Sequence, residues 1–585
     1  MNPSQEILVE KLNSLETLVD FSEHDIESDL RKLRDAHTEE DPCKEWIWEI
    51  LAFSFYENYT DKKTGWGTYF GPMMIWQSDD GRTVENPSIQ LVNDEVINYW
   101  NHRCQSTNNP IMQARYAGLV WDLSVKTTDK KPHYSMAVIY CEALLRIAQD
   151  KIHKYDVDIV QKLKRALSVA ISINNKELIK RTQENILEYE NFVAEDSKPG
   201  LWGFSFDLLI GSKKISLSEK EEREIIEALE ARLHRLKDGE PWLCEKAAER
   251  LARYYRSKGL KEECSRVIKT LGLSFERAAS NADPLTASSW LEHMHQIYTQ
   301  FNHLDDAERI TKIIRELGPK VRDSMKTISH EAEISHSEFE AYVEQMLDGQ
   351  LDQALARIAI HYIPRRGEIE NQLHELSKKS PISFLFTNQI TDNRGRVVAT
   401  VGPLEEDLDG NVVTQMSQNM SLSIIFLDAV LQQVMKKFNL DPDKLVNYLF
   451  QSPVFIFHQK EIFLKGIQKY LEQNFIIAIH LLIPQIEATV RNLVEMTGGA
   501  VLKPGRGGGF HLRTLDEILR SEQVMKSLGE DVALYFRVIL TDQRGWNIRN
   551  DVCHGILLQN QFSKGVADRL IHILLLLAQL QSKEA

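Results

Sequence analysis

The chain has 585 residues, too many for one hydrophobic core, and at about 100–200 residues per domain it predicts about three to five structural units. Its 43% hydrophobic and 26% charged residues are typical of a folded globular protein without a long disordered tail. A formal net charge of −15 argues against a protein that coats nucleic acid by bulk charge, although residues 461–585 hold 14 basic against 13 acidic residues and leave room for a local anion site.

Cysteine usage and the apolar segments predict a cytoplasmic protein without a membrane partner. The six cysteines are scattered and form no Cys-x-x-Cys pair, which indicates reduced thiols. The N-terminal sequence MNPSQEILVEKLNSLE has early acidic residues and no long apolar core, so we do not expect a signal peptide. The longest apolar stretches, at 476–484 and 573–578, are much shorter than the ~20 residues of a membrane span.

Helical periodicity dominates the first part of the chain. Apolar residues recur at spacings of three and four in 135–151, 219–238 and 247–259, which predicts amphipathic helices. Within an N-terminal helical domain at 1–130, the stretch 73–84 contains a DDG turn and is a candidate for a small β element.

A weak internal repeat follows. The fragment 255–271 resembles the fragment 298–317, and Gly259 in the first aligns with Asn302 in the second. Each fragment is typical of a helix end, a short turn and a second helix. The repeat therefore predicts either a solenoid-like region of helical hairpins over 131–350 or two ordinary helical hairpins.

A connecting region is expected at 351–439. Two β-branched runs flank the turn-forming DNRG within 384–402, which predicts a β-hairpin. Residues 404–411 resemble an exposed linker, and one long helix is expected at 415–438.

The last predicted domain spans 440–585. Its expected helices lie at 475–496 with a break or bend near Pro484, at 514–524 with a Thr514–Glu517 capping box, at 530–541 and at 564–582. The glycine-rich segment 498–510 is expected to be a loop. The predicted fold class is a mainly α, multi-domain helical protein with helical-hairpin repeats, a small β-hairpin insertion near 384–402 and a C-terminal helical bundle.

The sequence NIRNDVCHG at 547–555 is unusually polar for a stretch beside an apolar helix. A metal site is disfavoured, because the adjacent Cys553 and His554 would point about 100° apart on a helix and no second ligand pair has zinc-site spacing. A structural interpretation has Asn550 capping the last helix, with Asp551 in its first turn. That interpretation gives no role to His554 together with Arg549.

A functional interpretation uses both of these residues. An imidazole can take up and return a proton near neutral pH, and the guanidinium of Arg549 can bind a phosphate through two N–H groups. Metal-independent RNA cleavage needs these two groups, because a base must remove the 2′-OH proton and cations must stabilise the charge on the phosphate oxygens. Residues five apart on one helix differ by about 140° in direction. One copy is therefore a poor active site, and two copies across a twofold axis could complement each other.

The motif R-N-x-x-x-H-G, here Arg549 to Gly555, resembles the R-x4-6-H signature of the HEPN superfamily of helical domains. It is most similar to a sub-family with a C-terminal RNxxxHG domain of unknown function. The resemblance extends to 480–493, to 545–550 and, more loosely, to the N-terminal stretches 69–76 and 108–123. Many members of the superfamily are metal-independent ribonucleases that act as dimers with a composite cleft.

The resemblance implies roles for individual residues. Arg549 and His554 would be catalytic and Asn550 would assist them, with Asn547 and Gly555 in support. Asp551 departs from what a phosphate site needs, because it adds a carboxylate beside the arginine.

Other charged residues of the C-terminal domain have either a structural role or a role at the site. Glu487 and Arg491 are spaced for an i,i+4 ion pair, or Glu487 orients Arg549 or His554 from a neighbouring helix. Three basic residues flank the glycine-rich segment and would contact the RNA backbone or lie in a solvated loop: Lys503, Arg506 and Arg513.

Two functions follow from the sequence. The first is a cofactor-independent, homodimeric endoribonuclease that acts in anti-phage defence or toxin-like RNA cleavage. Its helical N-terminal body would regulate it by binding a protein or phage-derived activator. The second is a catalytically inactive, HEPN-like scaffold that binds RNA or protein.

Overall fold

A computed structural model describes residues 3–36, 43–58, 66–78, 82–212, 214–326, 335–392, 394–505 and 507–581, and the structural statements below concern these ranges. The chain divides into two compact units, residues 1–283 with 289–308, and residues 284–288 with 309–585. The described residues form a mainly α protein with three small two-stranded sheets, which confirms the predicted fold class.

Consecutive helices pack against each other in the first unit, so that α6, for example, contacts both α5 and α7. Its helices are α1 (Pro3–Leu15), α2 (Glu23–Ala36), α3 (Lys44–Ser54), α4 (Asp94–Ser106), α5 (Pro110–Thr128), α6 (Tyr134–Asp150), α7 (Asp156–Ser172), α8 (Lys176–Val193), α9 (Glu219–Leu236), α10 (Pro241–Ser257) and α11 (Lys261–Asn281). The division between the units falls within the next two helices, α12 (Pro284–Gln300) and α13 (Leu304–Ser324).

The second unit is built around one continuous hydrophobic core, to which both 351–439 and 440–585 contribute residues. Its helices are α14 (His336–Met346), α15 (Leu351–His361), α16 (Arg366–Lys379), α17 (Leu408–Leu422), α18 (Ile424–Lys437), α19 (Pro442–Leu449), α20 (Lys460–Leu471), α21 (Phe475–Met496), α22 (Leu515–Leu519), α23 (Glu522–Leu528), α24 (Glu530–Leu540), α25 (Ile548–Cys553) and α26 (Lys564–Ala578). The apolar face of α26 contacts α15, α18, α19 and α21, so the last helix lies in the centre of this core.

Three antiparallel hairpins complete the fold. They pair β1 (Met74–Gln77) with β2 (Thr83–Asn86), β3 (Asn388–Thr391) with β4 (Val397–Val401), and β5 (Leu502–Pro504) with β6 (Phe510–Leu512). The first two are the β element and the hairpin that the sequence predicts. The third corrects the prediction of a plain loop at 498–510, because Leu502–Pro504 within that segment pairs with Phe510–Leu512.

The two repeat fragments have equivalent turns. Gly259 between α10 and α11 and Asn302 between α12 and α13 both adopt left-handed backbone conformations, with φ of 73° and 61°. In each turn the next residue donates its backbone N–H to a tyrosine carbonyl, that of Tyr255 at 2.9 Å and that of Tyr298 at 2.8 Å. Glycine and asparagine tolerate this conformation best, which explains why they align in the sequence.

Several expected element boundaries in the second unit are wrong. The single helix predicted at 415–438 is two helices, α17 and α18, separated at Ser423. The buried Arg569 donates to the Met420 carbonyl and to the Ser423 hydroxyl, both at 2.8 Å, and so binds the chain where the helix is interrupted. The predicted linker 404–411 also contains the start of α17, which Asp407 caps by accepting from the Gly410 N–H at 2.9 Å.

Two further helices differ from expectation. No break occurs at Pro484, because α21 runs through it as one helix with a buried apolar face that includes Leu482 and Ile486. The helix expected at 514–524 is two short helices, α22 and α23, since Ser521 caps a new helix. The capping box of Thr514 and Glu517 is confirmed. None of the described helices has the length and hydropathy that crossing a bilayer requires.

Candidate functional site

The motif forms a short helix of its own rather than the start of the last helix. α25 follows a turn after α24, and Asn547 begins it in a left-handed conformation with φ of 49°. Asn550 donates its amide N–H groups to the Asn547 side chain at 2.7 Å and to the Thr541 carbonyl at 3.3 Å. The interpretation of Asn550 as a cap of the last helix is therefore wrong, because α26 begins later and is capped by Ser563.

Arg549 is held from the neighbouring helix α21. Its Nε donates to Glu487 Oε2 at 2.8 Å, and its Nη1 donates to the Asn550 side-chain oxygen at 3.1 Å. Glu487 also accepts from Arg491 at 2.6 Å, so the two contacts that the sequence left as alternatives are both present. Burial raises the pKa of the Glu487 carboxyl, but the hydrogen bonds from Arg491 and Arg549 outweigh it and leave the pKa below its ordinary value.

His554 lies just past the end of α25 and is exposed. Its backbone N–H donates to the Asn550 carbonyl at 2.9 Å, and its imidazole makes no hydrogen bond to any residue in the described ranges. His554 and Arg549 line the same cleft, which has a volume of about 710 Å³. One chain thus places both side chains beside one cavity, despite the 140° separation that an ideal helix implies.

Part of the lining of this cleft comes from segments that lie far from the motif in the sequence. Asp392 and Arg396 of the β3–β4 hairpin line it, as do Thr514 and Asp516 at the start of α22. Asp392 is paired with Arg396. The polar turn sequence DNRGR is the only signal of this contribution in the sequence, and by itself it predicts no more than a hairpin turn.

A cluster of charged side chains, in which Arg537 and Asp542 are buried, fixes the turn that precedes the motif. Asp542 accepts from Arg537 at 3.0 Å and from Arg544 at 2.9 Å, and Arg544 also reaches Asp409 of α17 at 3.1 Å. Burial raises the pKa of Asp542, but the hydrogen bonds from Arg544 and Arg537 prevail and lower it to about 2. These contacts connect the turn to α17 and α24.

Gly545 in that turn presses against the end of α24. A Cβ at this position would lie 2.3 Å from the Val538 carbonyl oxygen, and the next residue, Trp546, donates its N–H to the same oxygen at 2.7 Å. Only glycine permits this approach of the two backbones, which places Trp546 at the edge of the cleft.

The Gly545→Ala variant should therefore be less stable by about 1–3 kcal/mol, the usual cost of overpacking, and should cleave RNA more slowly if the cleft is catalytic. Urea denaturation of the full chain measures the first effect. Gly507→Ala is the matched control, because a Cβ there meets no atom within 4 Å. Equal stability of the two variants would contradict the steric role of Gly545.

Two of the basic residues that flank the glycine-rich segment, Lys503 and Arg513, do not line the cleft. Lys503 pairs with Glu517 at 2.8 Å, and Arg513 donates to the carbonyls of Ala500 and Glu517. The hydrogen bonds from Lys503 and from the Thr514 backbone lower the pKa of Glu517 to about 2. The predicted contact of Arg506 with RNA lies outside the described residues.

The structure brings no group of potential metal-binding side chains together among the described residues. All six cysteines are free thiols, and Cys553 is exposed. Within the part of the chain that the structure describes, no three His, Cys, Asp or Glu side chains come together as a metal site would require.

Comparison of the chain with protein-family models, with curated proteins and with solved structures found no match. The assignment of residue roles therefore depends on the motif and on the geometry described above.

Proposed function

We propose that the chain is a metal-independent endoribonuclease of the HEPN type, with Arg549 and His554 as its catalytic residues. The observation that carries this proposal is that one cleft of about 710 Å³ is lined by both an exposed imidazole and a guanidinium anchored by Glu487. The acceptor groups of Glu487 and Asn550 engage Nε and Nη1 of Arg549. Its Nη2 makes no hydrogen bond within the described ranges and is available for a phosphate oxygen.

The proposed reaction is an internal transesterification. His554 removes the proton of a ribose 2′-OH, the 2′ oxygen forms a bond to phosphorus, and the bond from phosphorus to the 5′ oxygen breaks. The leaving 5′ oxygen takes up a proton from water, and the protonated His554 returns its proton to the solvent. The products are a 2′,3′-cyclic phosphate and a 5′-hydroxyl end. Arg549 stabilises the negative charge that develops on the phosphate oxygens, and Asn550 holds the guanidinium in place.

The proposal includes a homodimer formed through the C-terminal region and a cytoplasmic role in anti-phage defence or toxin-like RNA cleavage. A second copy would supply further cationic groups to a phosphate that one arginine neutralises only in part. The helical body would bind a protein or phage-derived activator. A mass measurement of the full chain in solution tests the homodimer. If the chain is strictly monomeric and still cuts RNA, the homodimer is not required for cleavage.

A carboxylate without a paired cation in the cleft favours a second candidate, a catalytically inactive scaffold that binds RNA or protein. Asp392 and Asp516 border the cleft but are paired with Arg396 and Arg520, whereas Asp551 has no lysine or arginine partner among the described residues and opposes binding of a phosphate. In this case RNA would stay intact with the purified protein under every condition in which it binds.

Incubation of the full chain with total RNA in the presence of EDTA separates the two candidates. We expect cleavage with 2′,3′-cyclic phosphate ends, identified by sequencing the fragment ends. Arg549→Ala protein, purified in the same way, controls for a contaminating ribonuclease and should leave the RNA intact. Equal cleavage by both proteins would refute the proposed activity.

A further inference from the structure

A second cavity, called here the side cavity, adjoins the cleft. It has a volume of about 530 Å³, within the range of ligand pockets in proteins. Three residues line both the side cavity and the cleft: Trp546, Asp551 and Gln561. A ligand could therefore extend from one into the other.

The side cavity is lined by both apolar and polar side chains. Ile424, Ile548 and Leu557 are among the apolar ones, and Trp546 adds an aromatic side chain. The Trp546 indole N–H makes no hydrogen bond to the residues that the structure describes. An aromatic side chain at the edge of a cleft is the usual platform on which an unpaired RNA base stacks.

Asp551 is one of the two carboxylates that line the side cavity. Its Oδ1 accepts from the Asn547 amide at 2.9 Å, and its Oδ2 has no hydrogen-bond donor in the described ranges. No lysine or arginine in those ranges forms an ion pair with it. The other carboxylate lining the side cavity, Asp428, is already engaged by Lys564 and by Gln432. A carboxylate in this state accepts hydrogen bonds readily, and each of its oxygens can take two.

We propose that the side cavity holds a guanine base next to the scissile phosphate, stacked on Trp546 and read by Asp551; this inference depends on the proposed ribonuclease function. Guanine presents two adjacent donors, N1–H and the 2-amino group, and a carboxylate can accept from both. Adenine and cytosine place an acceptor beside their amino group, and uracil has one donor between two carbonyls. Those three bases therefore oppose a carboxylate with at least one acceptor.

This role also explains the departure of Asp551 from a plain phosphate site. A carboxylate weakens phosphate binding if it faces the phosphate, but it contributes selectivity if it faces a base in the neighbouring cavity. Burial, the largest influence, raises the pKa of Asp551, as expected for a carboxylate without a paired cation.

The test compares two short synthetic RNAs that differ only in having guanosine or inosine, which lacks the 2-amino group, beside the cut. A preliminary digest of a random-sequence RNA identifies the position: we expect guanine to be enriched at one of the two positions that flank the cut.

In the two synthetic RNAs, the wild type should cut the guanosine RNA about 5- to 100-fold faster than the inosine RNA, the discrimination typical of a two-point contact. Asp551→Asn keeps the acceptor for Asn547 and should cut both at similar rates. Asp443→Asn changes an exposed carboxylate away from both cavities and should keep the wild-type ratio.

The outcomes separate the inference from the proposed activity. Cleavage without guanine preference, or an unchanged ratio in Asp551→Asn, overturns the side-cavity assignment and leaves the ribonuclease intact. If the chain does not cut RNA at all, binding of guanosine and inosine monophosphates to the wild type and to Asp551→Asn is measured by calorimetry. A guanosine preference that Asp551→Asn abolishes supports the base site, and equal binding of the two nucleotides overturns it.

Discussion

Replacing His554 with glutamine should slow RNA cleavage by about 100- to 10,000-fold, the usual contribution of a general acid or base. Glutamine is polar and of similar length, but it cannot take the proton of the 2′-OH. The melting temperature should not change, because the imidazole is exposed and makes no hydrogen bond to the described residues. Initial rates on a defined RNA and a thermal melt of the same preparation measure the two effects.

His458→Gln is the matched control, because His458 is also exposed in the second unit but does not line the cleft. It should cut as the wild type does. If His554→Gln and His458→Gln both retain full activity, His554 is not the proton acceptor and the proposed mechanism is wrong.

Replacing Asp542 with asparagine should lower the free energy of unfolding at pH 7 by about 2 kcal/mol, since a tenfold change in proton affinity corresponds to about 1.4 kcal/mol. The folded protein holds the pKa of this carboxyl at about 2, whereas its ordinary value is 3.8. The variant leaves the guanidinium of Arg537 buried without its closest counter-charge. Urea denaturation of the full chain, with hydrogen exchange across 530–553 to locate the effect, measures the loss.

The pH dependence follows from the sign of the change in pKa. A carboxyl whose pKa is lowered by folding stabilises the protein above its ordinary pKa, and this contribution is lost as the pH falls through the folded value. The difference between wild type and Asp542→Asn should therefore be complete above about pH 4 and disappear toward about pH 2. Asp443→Asn, at an exposed position, should show little difference at any pH. A pH-independent difference for Asp542→Asn would mean that the residue acts through packing rather than charge.

The sequence predicts the long amphipathic helices well because their signal is local. The helix expected at 135–151 is α6, Tyr134–Asp150, and the helix expected at 219–238 is α9, Glu219–Leu236. The interruption at Ser423 was not predictable in this way. It is stabilised by Arg569, which lies 146 residues away in the sequence, and no local pattern reports such a contact.

The same distinction applies to the candidate site. The motif around Arg549 and His554 is recognisable because its residues are consecutive. The spacing of four on α21 predicts only the ion pair of Glu487 with Arg491, and the contact of Glu487 with the motif is an expectation from the family resemblance. The walls of the cleft come from the β3–β4 hairpin and from the start of α22, and only the folded chain brings these segments to the motif. The sequence identifies Asp551 as a departure from a phosphate site, but the two cavities that Asp551 lines exist only in the folded chain.

The shared core of the second unit has a consequence for any attempt to excise the motif as an autonomous domain. A fragment starting at residue 440 would lose the Met420 carbonyl and Ser423 hydroxyl that accept from Arg569, and the Ala359 carbonyl that lies 3.0 Å from His572 Nε2. Because the side chains of Arg569 and His572 are buried, the truncation would leave their polar groups without hydrogen-bond partners in apolar surroundings. The smallest fragment that retains these partners extends back to α15, far upstream of the boundary that the motif alone suggests.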